Sequence, residues 1–399
     1  MNIRRTAALV GATVVIGAAC APAAVADSAS PSPKVVVPSG LYGTSDPTYD
    51  GVWRQSLALL AQDTMGVKPA SKAVDWLTGQ QCANGGFAAF RSDAGKACDA
   101  KTPLDSNSTA VAVQALAALG GHDAEIGKAV KWLKSVEAKG GGWGYMPGGA
   151  ADANSTSVVI GALTAAGEKV TDAQAALVKL SIPCTKGDKD SGAFAYQPDK
   201  KGKLAANADA TAAGVLGGLG KGLAPVAGKS AGAPTCKAGT PDAAQAAENG
   251  AAYLTGELAK DHHLMSAMPG AEAQPDYGNT ADAVTALAAA GHHDEAAGAL
   301  TWLEKNSAKW AEQSGPAAYA QLILASHAAG ADPRDFGGTD LVKALNATGP
   351  APVTKADAQA AKKDEKRSGG LSVWYIVAVA AVAGIGIGFL FSGRKKQQL

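Results

Sequence analysis

Aromatic side chains are scarce in this chain: Phe, Trp and Tyr together make up 5% of its 399 residues. Neither sign of charge is in excess. With 36 Lys and Arg against 35 Asp and Glu, the net charge of +1 leaves no electrostatic footprint for nucleic acid. Cysteine is rare, at five, and no two cysteines stand at CxxC spacing, which removes the usual zinc framework. No phosphate-binding loop is found at Gly220-Lys221, because Gly222 follows where Ser or Thr is needed. Long apolar runs are confined to the two ends of the chain.

The first run, residues 7–19, follows Arg4 and Arg5 and precedes the small-residue cleavage site Ala24-Val25-Ala26. Residues 1–26 therefore read as a signal peptide. Cys20 raises lipidation, against which Gly17 stands where a large apolar residue is preferred. The second run, residues 371–391, is uncharged and long enough to cross about 30 Å of hydrocarbon as a single transmembrane helix. Arg394, Lys395 and Lys396 lie in the basic tail, residues 392–399, and predict a cytoplasmic C-terminus. The expected localisation is the cell membrane, single-pass, with the main domain extracellular. Setting Cys20 aside leaves Cys82, Cys98, Cys184 and Cys236, and an even number outside the membrane favours disulfides. Three pairings are open. Cys82–Cys98 with Cys184–Cys236 is preferred, because each closes a loop leading from one helix to the next.

What the chain does have is a repeat. Residues 72–120 run from an amphipathic helix with Trp76 and Leu77, through a loop with Gly85, Gly86 and Phe87, to the polar cluster Asp105-Ser106-Asn107-Ser108-Thr109 and an apolar helix of small residues. Residues 128–167 repeat the unit, and worn copies follow around Gly192–Thr211, Tyr253–Gly291 and Trp302–Gly330. Helix pairs repeating at this length mean a stacked or closed helical array. One set of predicted helices is small and apolar nearly all round: about 51–65, 109–120, 156–167, 209–220, 279–291 and 316–330. The other is amphipathic: about 70–81, 125–138, 172–181, 242–260, 294–306 and 338–347. The first kind is buried on every side and the second covers it from outside. The expected fold is all-α, an α6/α6 toroid spanning residues 49–347, with Asp50 capping its first helix. A Ser/Pro/Gly-rich linker, 27–48, precedes it, and a stalk, 348–370, leads to the membrane.

Lys72-Ala73-x-x-Trp76-Leu77-x3-Gln81-x3-Gly85-x-Phe87 resembles the QW motif of the prenyltransferase and squalene-cyclase repeat family. The second copy keeps Trp132-Leu133 and Gly141-Gly142-Trp143 but has Glu137 in place of Gln. The resemblance implies the terpenoid-cyclase-like toroid. Its catalytic marks are missing: there is no DxDD acid, no DDxxD, no thioester motif and no zinc set. Nor do the inner helices, with only Trp53 and Tyr319, supply the aromatic faces that steady a carbocation. In character the chain is similar to the α-domain of the cobalamin carriers, intrinsic factor and transcobalamin. That likeness implies a bound corrinoid, and a β-rich partner protein to cover it, since no second domain follows residue 347.

In such a toroid the inner helices share one direction, so their N-termini and the Gly-Gly-aromatic loops meet at one rim. The candidate ligand-binding residues there are Phe87, Asp105, Asn107, Trp143, Tyr145, Asp152, Asn154, Tyr196, Asn207, Asp209, Tyr277, Asn279 and Asp282. The same Asp and Asn residues are also what helix N-caps require. No residue is assigned a catalytic role, and His263 is the one candidate metal ligand. The expected function is an exported, membrane-anchored, non-catalytic toroid binding a small ligand or a partner protein, serving a transporter. The alternative is a divergent terpenoid cyclase or prenyltransferase-like enzyme acting on a polyprenyl substrate.

Overall fold

The computed structural model describes residues 36–266 and 272–354. The predicted signal peptide, Cys20, the end of the stalk, the transmembrane helix 371–391 and the basic tail lie outside the described residues. Among the described residues no helix is long and apolar enough to cross a membrane.

In chain order the elements begin with α1 (Gly51–Thr64), α2 (Ser71–Gly79), β1 (Phe87–Ala88), β2 (Leu104–Asp105), α3 (Ser106–Leu119) and α4 (Asp123–Ser135). Next come α5 (Ala153–Ala165), α6 (Thr171–Val178), α7 (Ala208–Gly218) and α8 (Ala243–Leu258). The last are β3 (Leu264–Ser266), β4 (Gln274–Asp276), α9 (Tyr277–Ala290), α10 (His293–Asn306), α11 (Ala308–Ser314), α12 (Pro316–Ala328) and α13 (Leu341–Ala347). Helix α1 packs on α3, α3 on α5, α5 on α7, α7 on α9, α9 on α12, and α12 back on α1. The ring is closed. Outside it α2, α4, α6, α8, α10 and α13 each pack on the inner helix that precedes them. The two antiparallel ribbons, β1–β2 and β3–β4, are each a short hairpin leading into an inner helix.

Side-chain size explains the layering. Helix α3 buries a continuous run from Ser108 to Leu116, whereas α2 buries only Ala73 and Leu77. Small residues let inner backbones approach. A Cβ on Gly161 would lie 2.7 Å from the Cα of Gly222, and one on Gly214 would lie 2.6 Å from the Phe194 ring. The predicted helices are all present, and α11 is an addition that fills the connection from α10 to α12. Inner helices α3, α5, α7 and α9 start one to three residues earlier than periodicity indicates, because polar first-turn residues carry no apolar signal.

Two local expectations change. Asp50 occupies the N-cap position of α1 but accepts no backbone N–H there. Its carboxylate instead takes Nη1 of Arg54 at 3.1 Å. Arg54 is 1% exposed and also donates to the Ser45 carbonyl and hydroxyl, and a buried guanidinium left without its partners would cost several kcal/mol, on the order of the 3–5 seen when a buried pair is broken. The stretch read as a linker is not free at its C-terminal half either. Leu41 and Tyr42 are buried, and the Tyr42 hydroxyl donates to Gln62 Oε1 and lies 3.1 Å from the Pro350 carbonyl. Both disulfides form as expected, Cys82–Cys98 and Cys184–Cys236, with Cα separations of 5.6 and 5.7 Å.

Candidate functional site

Four inner helices begin in the same way. Asp105, Asp152, Asn207 and Asp276 are N-caps, each accepting the backbone N–H three residues on, from Ser108, Ser155, Ala210 and Asn279, at 2.6 to 3.0 Å. Four residues after each cap stands a threonine. The hydroxyls of Thr109, Thr156, Thr211 and Thr280 accept the backbone N–H of Phe87, Trp143, Phe194 and Leu264. Cap and threonine together pin each incoming loop to a helix N-terminus.

This pinning decides which loop aromatics reach the mouth. Phe87 is 0% exposed and Trp143 2%, and the Trp143 indole N–H donates to the Leu133 carbonyl at 2.8 Å. Both were expected at the mouth; both are wedges between the inner and outer layers. Two residues beyond the wedge the chain emerges. Tyr145 and Tyr196 are 45% and 46% exposed, and their carbonyls accept the first N–H groups of α3 and α5, from Ser106 and Ala153. Tyr277 is not at the mouth as a free ring. It stacks on Trp302 and Trp310, at centroid distances of 5.1 and 5.6 Å. His263 stacks on the other face of that group, 4.2 Å from Trp302, with Nδ1 2.7 Å from the Asp261 carbonyl. Among the described residues no group of three His, Cys, Asp or Glu is placed to hold a metal ion. Asn207 is an exposed cap, and Asn279 completes the Asp276 cap through its side-chain amide.

Asn107, Asn154, Asp209 and Asp282 form a different group. The first three stand two residues after a cap, a position turned inward by the helix. Together with Asp282 they line the lumen of the ring, a cavity of ≈ 280 Å³. Trp53, Leu57, Val158, Leu216 and Leu324 supply apolar wall, and Gln114, Ser157 and Gln321 supply polar wall. Lys221-Gly222-Leu223 also line it, held there by Gln114, which accepts the Leu223 N–H at 2.8 Å and donates to the Val158 carbonyl at 2.9 Å.

The lumen is rich in acceptors. Asp209 takes the Asn154 amide at 2.6 Å, and Asp282 takes the Gln321 amide at 2.7 Å. Burial pushes the Asp282 carboxyl up to about 7, opposed by the Gln321 hydrogen bond and reinforced by the charges of Asp209 and Asp276. Burial likewise raises Asp209, against its Asn154 hydrogen bond. Among the caps, burial pushes Asp105 up to about 6 and raises Asp152, in each case opposed by the N–H donors the cap accepts. Asn107 Oδ1, Asn154 Oδ1 and Ser157 Oγ are buried with no hydrogen-bond partner.

Sequence reading names the four polar lumen positions but passes over Gln114, Ser157, Lys221 and Gln321. Helical spacing carries the signal for two of them: Asn107 to Gln114 is seven residues, and Asn154 to Ser157 is three, so each pair shares one face. Against the expectation that the chain lacks the serine-hydrolase GxSxG motif, Gly228-Lys229-Ser230-Ala231-Gly232 has the letters of a nucleophile elbow. That motif needs a strand-to-helix turn. Here the segment is irregular chain held against the C-terminus of α9, with Gly228 and Ala231 N–H donating to the Ala288 and Gly291 carbonyls. The nearby His292 already has the Gly232 carbonyl at Nδ1 and Glu248 at Nε2, so it is no free base for Ser230.

No family model matches this chain, and no curated protein matches it. Among solved structures it is similar to ent-copalyl diphosphate synthase from Streptomyces platensis, at 16% identity and a TM-score of 0.48, over 70% of this chain and 50% of that one. The chain thus spans about half the length of that synthase. It is also similar to a protein from Actinoplanes, at 15% identity and a TM-score of 0.47, over 73% of this chain and 94% of that one. The toroid assignment rests on the closed ring of helices itself.

Proposed function

We propose that this protein is a non-catalytic receptor, a toroid exported and anchored at the cell surface that takes a small organic ligand into its lumen and serves a membrane transporter or a partner protein. The observation that carries this reading is the cavity itself, walled by Leu57, Val158 and Leu216 with Asn107, Asp209 and Asp282 as its polar groups. A concave, largely apolar pocket with a few convergent polar groups is the usual form of a small-molecule site. The cavity of ≈ 280 Å³ sits at the small end of the ~300–1,000 Å³ typical of small-molecule sites. A corrinoid, the ligand implied by the cobalamin-carrier resemblance, is too large for this cavity and would have to rest on the rim beside Tyr145 and Tyr196 under a partner chain, so its binding would count against the lumen site. The test is a thermal-shift screen of the purified full chain against small polar molecules, corrinoids and polyprenyl diphosphates. A ligand of the native state at a hundredfold its Kd adds about 2.7 kcal/mol. Silence across all three classes sinks the receptor reading.

One observation favours an enzyme instead. A carboxyl with a pKa of about 7, as at Asp282, has the proton affinity of a general acid working near neutral pH. A divergent terpenoid cyclase or prenyltransferase-like enzyme would use it on a polyprenyl substrate, with Trp53 as the aromatic wall. Turnover of a polyprenyl diphosphate that disappears in Asp282→Asn would establish that reading. Asp105 and Asp152 are poor choices for the acid, because each is engaged as a helix cap.

A further inference from the structure

The lumen's hydrogen-bond inventory is lopsided. Most of its amide donors are committed, Gln114 to the Val158 carbonyl, Asn154 to Asp209, and Gln321 to both Asp282 and the Gly278 carbonyl, and among the described residues Asn107 alone keeps a neutral amide. Among the described residues Lys221 supplies the one ammonium on the wall, and it donates to the Val226 and Ala289 carbonyls. Charged acceptors remain over. Asn107 Oδ1, Asn154 Oδ1 and Ser157 Oγ are unpartnered but sealed in the wall, so the acceptors that open on the lumen are the carboxylates of Asp209 and Asp282. Among the described residues Asp282 receives one hydrogen bond only, so the rest of its carboxylate faces the lumen undonated.

We infer that the ligand of this lumen is an organic cation, a primary ammonium ion on a short apolar body, held by the carboxylates of Asp209 and Asp282. This rests on the receptor reading above and names its ligand class. The N–H donors of a compact, charged group match two carboxylates, and charge-assisted hydrogen bonds are roughly twice as strong as neutral ones. The apolar body matches Leu57, Val158 and Leu216 deeper in the ring. Trp53 adds an aromatic surface, which attracts cations. An anionic ligand would meet two carboxylates. A bare metal ion would lack a full ligand set, as no group of three suitable side chains is in place among the described residues.

The experiment is calorimetric titration of the full chain in detergent with n-pentylammonium, n-pentanol, pentanoate and n-pentyltrimethylammonium at millimolar concentrations. The first should bind more tightly than the alcohol by roughly tenfold or more, the gain of about one charge-assisted hydrogen bond. The carboxylate should not bind. The quaternary ion, which carries charge but donates nothing, should bind no better than the alcohol. Asp282→Asn should lower the affinity for n-pentylammonium and leave that for n-pentanol in place, and Ala213→Phe, which fills the lumen, should abolish both. If n-pentanol or pentanoate binds as well as the ammonium ion, the cation assignment is overturned and the receptor reading stands. If none of the four binds and the wider screen is also silent, both are overturned.

Discussion

Asp282 sits on α9 with Asp209 reaching it from α7, Asp276 at the start of its own helix and Gln321 donating from α12. Its carboxyl is pushed up to about 7, against about 3.9 for an unfolded Asp. Between about pH 4 and about pH 7 the folded chain therefore holds more protons than the unfolded one, and stability falls as pH rises through that window. Asp105, pushed up to about 6, acts in the same direction. Urea unfolding should show the protein more stable at pH 5 than at pH 8, by on the order of a few kcal/mol. Asp282→Asn should flatten most of that slope and leave the share belonging to Asp105. A bound ammonium ion needs the ionised carboxylate, so its affinity should climb over the range in which bare stability declines. Equal stability at pH 5 and pH 8 would mean that these carboxyls are solvated as freely as in the unfolded chain.

The loop-to-helix joint is the unit on which the elements turn. Gly85 takes a φ of +98°, and a Cβ there would lie 2.2 Å from the Lys128 carbonyl oxygen on α4. The motif glutamine next to it, Gln81, donates to the Glu125 carbonyl of the same helix at 2.8 Å. The QW signature is thus a joint between one outer helix and the next. Gly85→Ala should cost more than about 2 kcal/mol, since both the backbone region and the space forbid a side chain. Thr156→Val should cost about 1–3 kcal/mol by leaving the Trp143 N–H unpaired. Thermal melts of the two variants check both figures. The spacing of cap and threonine in the first three copies was readable from sequence, as Asp105 to Thr109, Asp152 to Thr156 and Asn207 to Thr211. The fourth cap, Asp276, was not, because Asn279 next to Thr280 is also a cap-forming residue and lies at the other end of the same spacing. Phe87 and Trp143 misled for a related reason: a glycine pair before an aromatic marks a tight turn, but not which side of the wall the ring enters. Burial of that kind depends on the outer helix across the joint, which no local pattern reports.

At the scale of the whole molecule, closure was legible and the clasp was not. Alternation of apolar and amphipathic helices predicted the two layers, and α12 returns to α1 as a ring requires. The join is made by segments that composition marks as linker and stalk. The Gly43 N–H donates to the Thr348 carbonyl at 2.8 Å, and Gln62 donates to Asn346 Oδ1 at 2.7 Å. The Tyr42 hydroxyl reaches both Gln62 and Pro350, and Gly349 packs so closely on the Tyr42 ring that a Cβ would lie 2.3 Å away. Tyr42→Ala should cost about 3–5 kcal/mol, the range for emptying an aromatic site in a core, and should loosen both ends of the ring together. Hydrogen exchange that speeds at 38–43 and at 346–353 alike would show that coupling. Acceleration at one end alone would show the two segments to be independent.

The central claim is that ligand enters the ring and does not rest on its rim. Ala213 lines the lumen on α7, where a phenyl group would occupy the cavity without touching the caps or the rim tyrosines. The direct measurement is the ligand-induced rise in melting temperature of the native chain and of Ala213→Phe, with the best ligand of the screen. The account predicts a clear rise for the native chain and none for the variant, whose unliganded melting temperature stays close to native. An undiminished rise in Ala213→Phe would place the ligand elsewhere and contradict it.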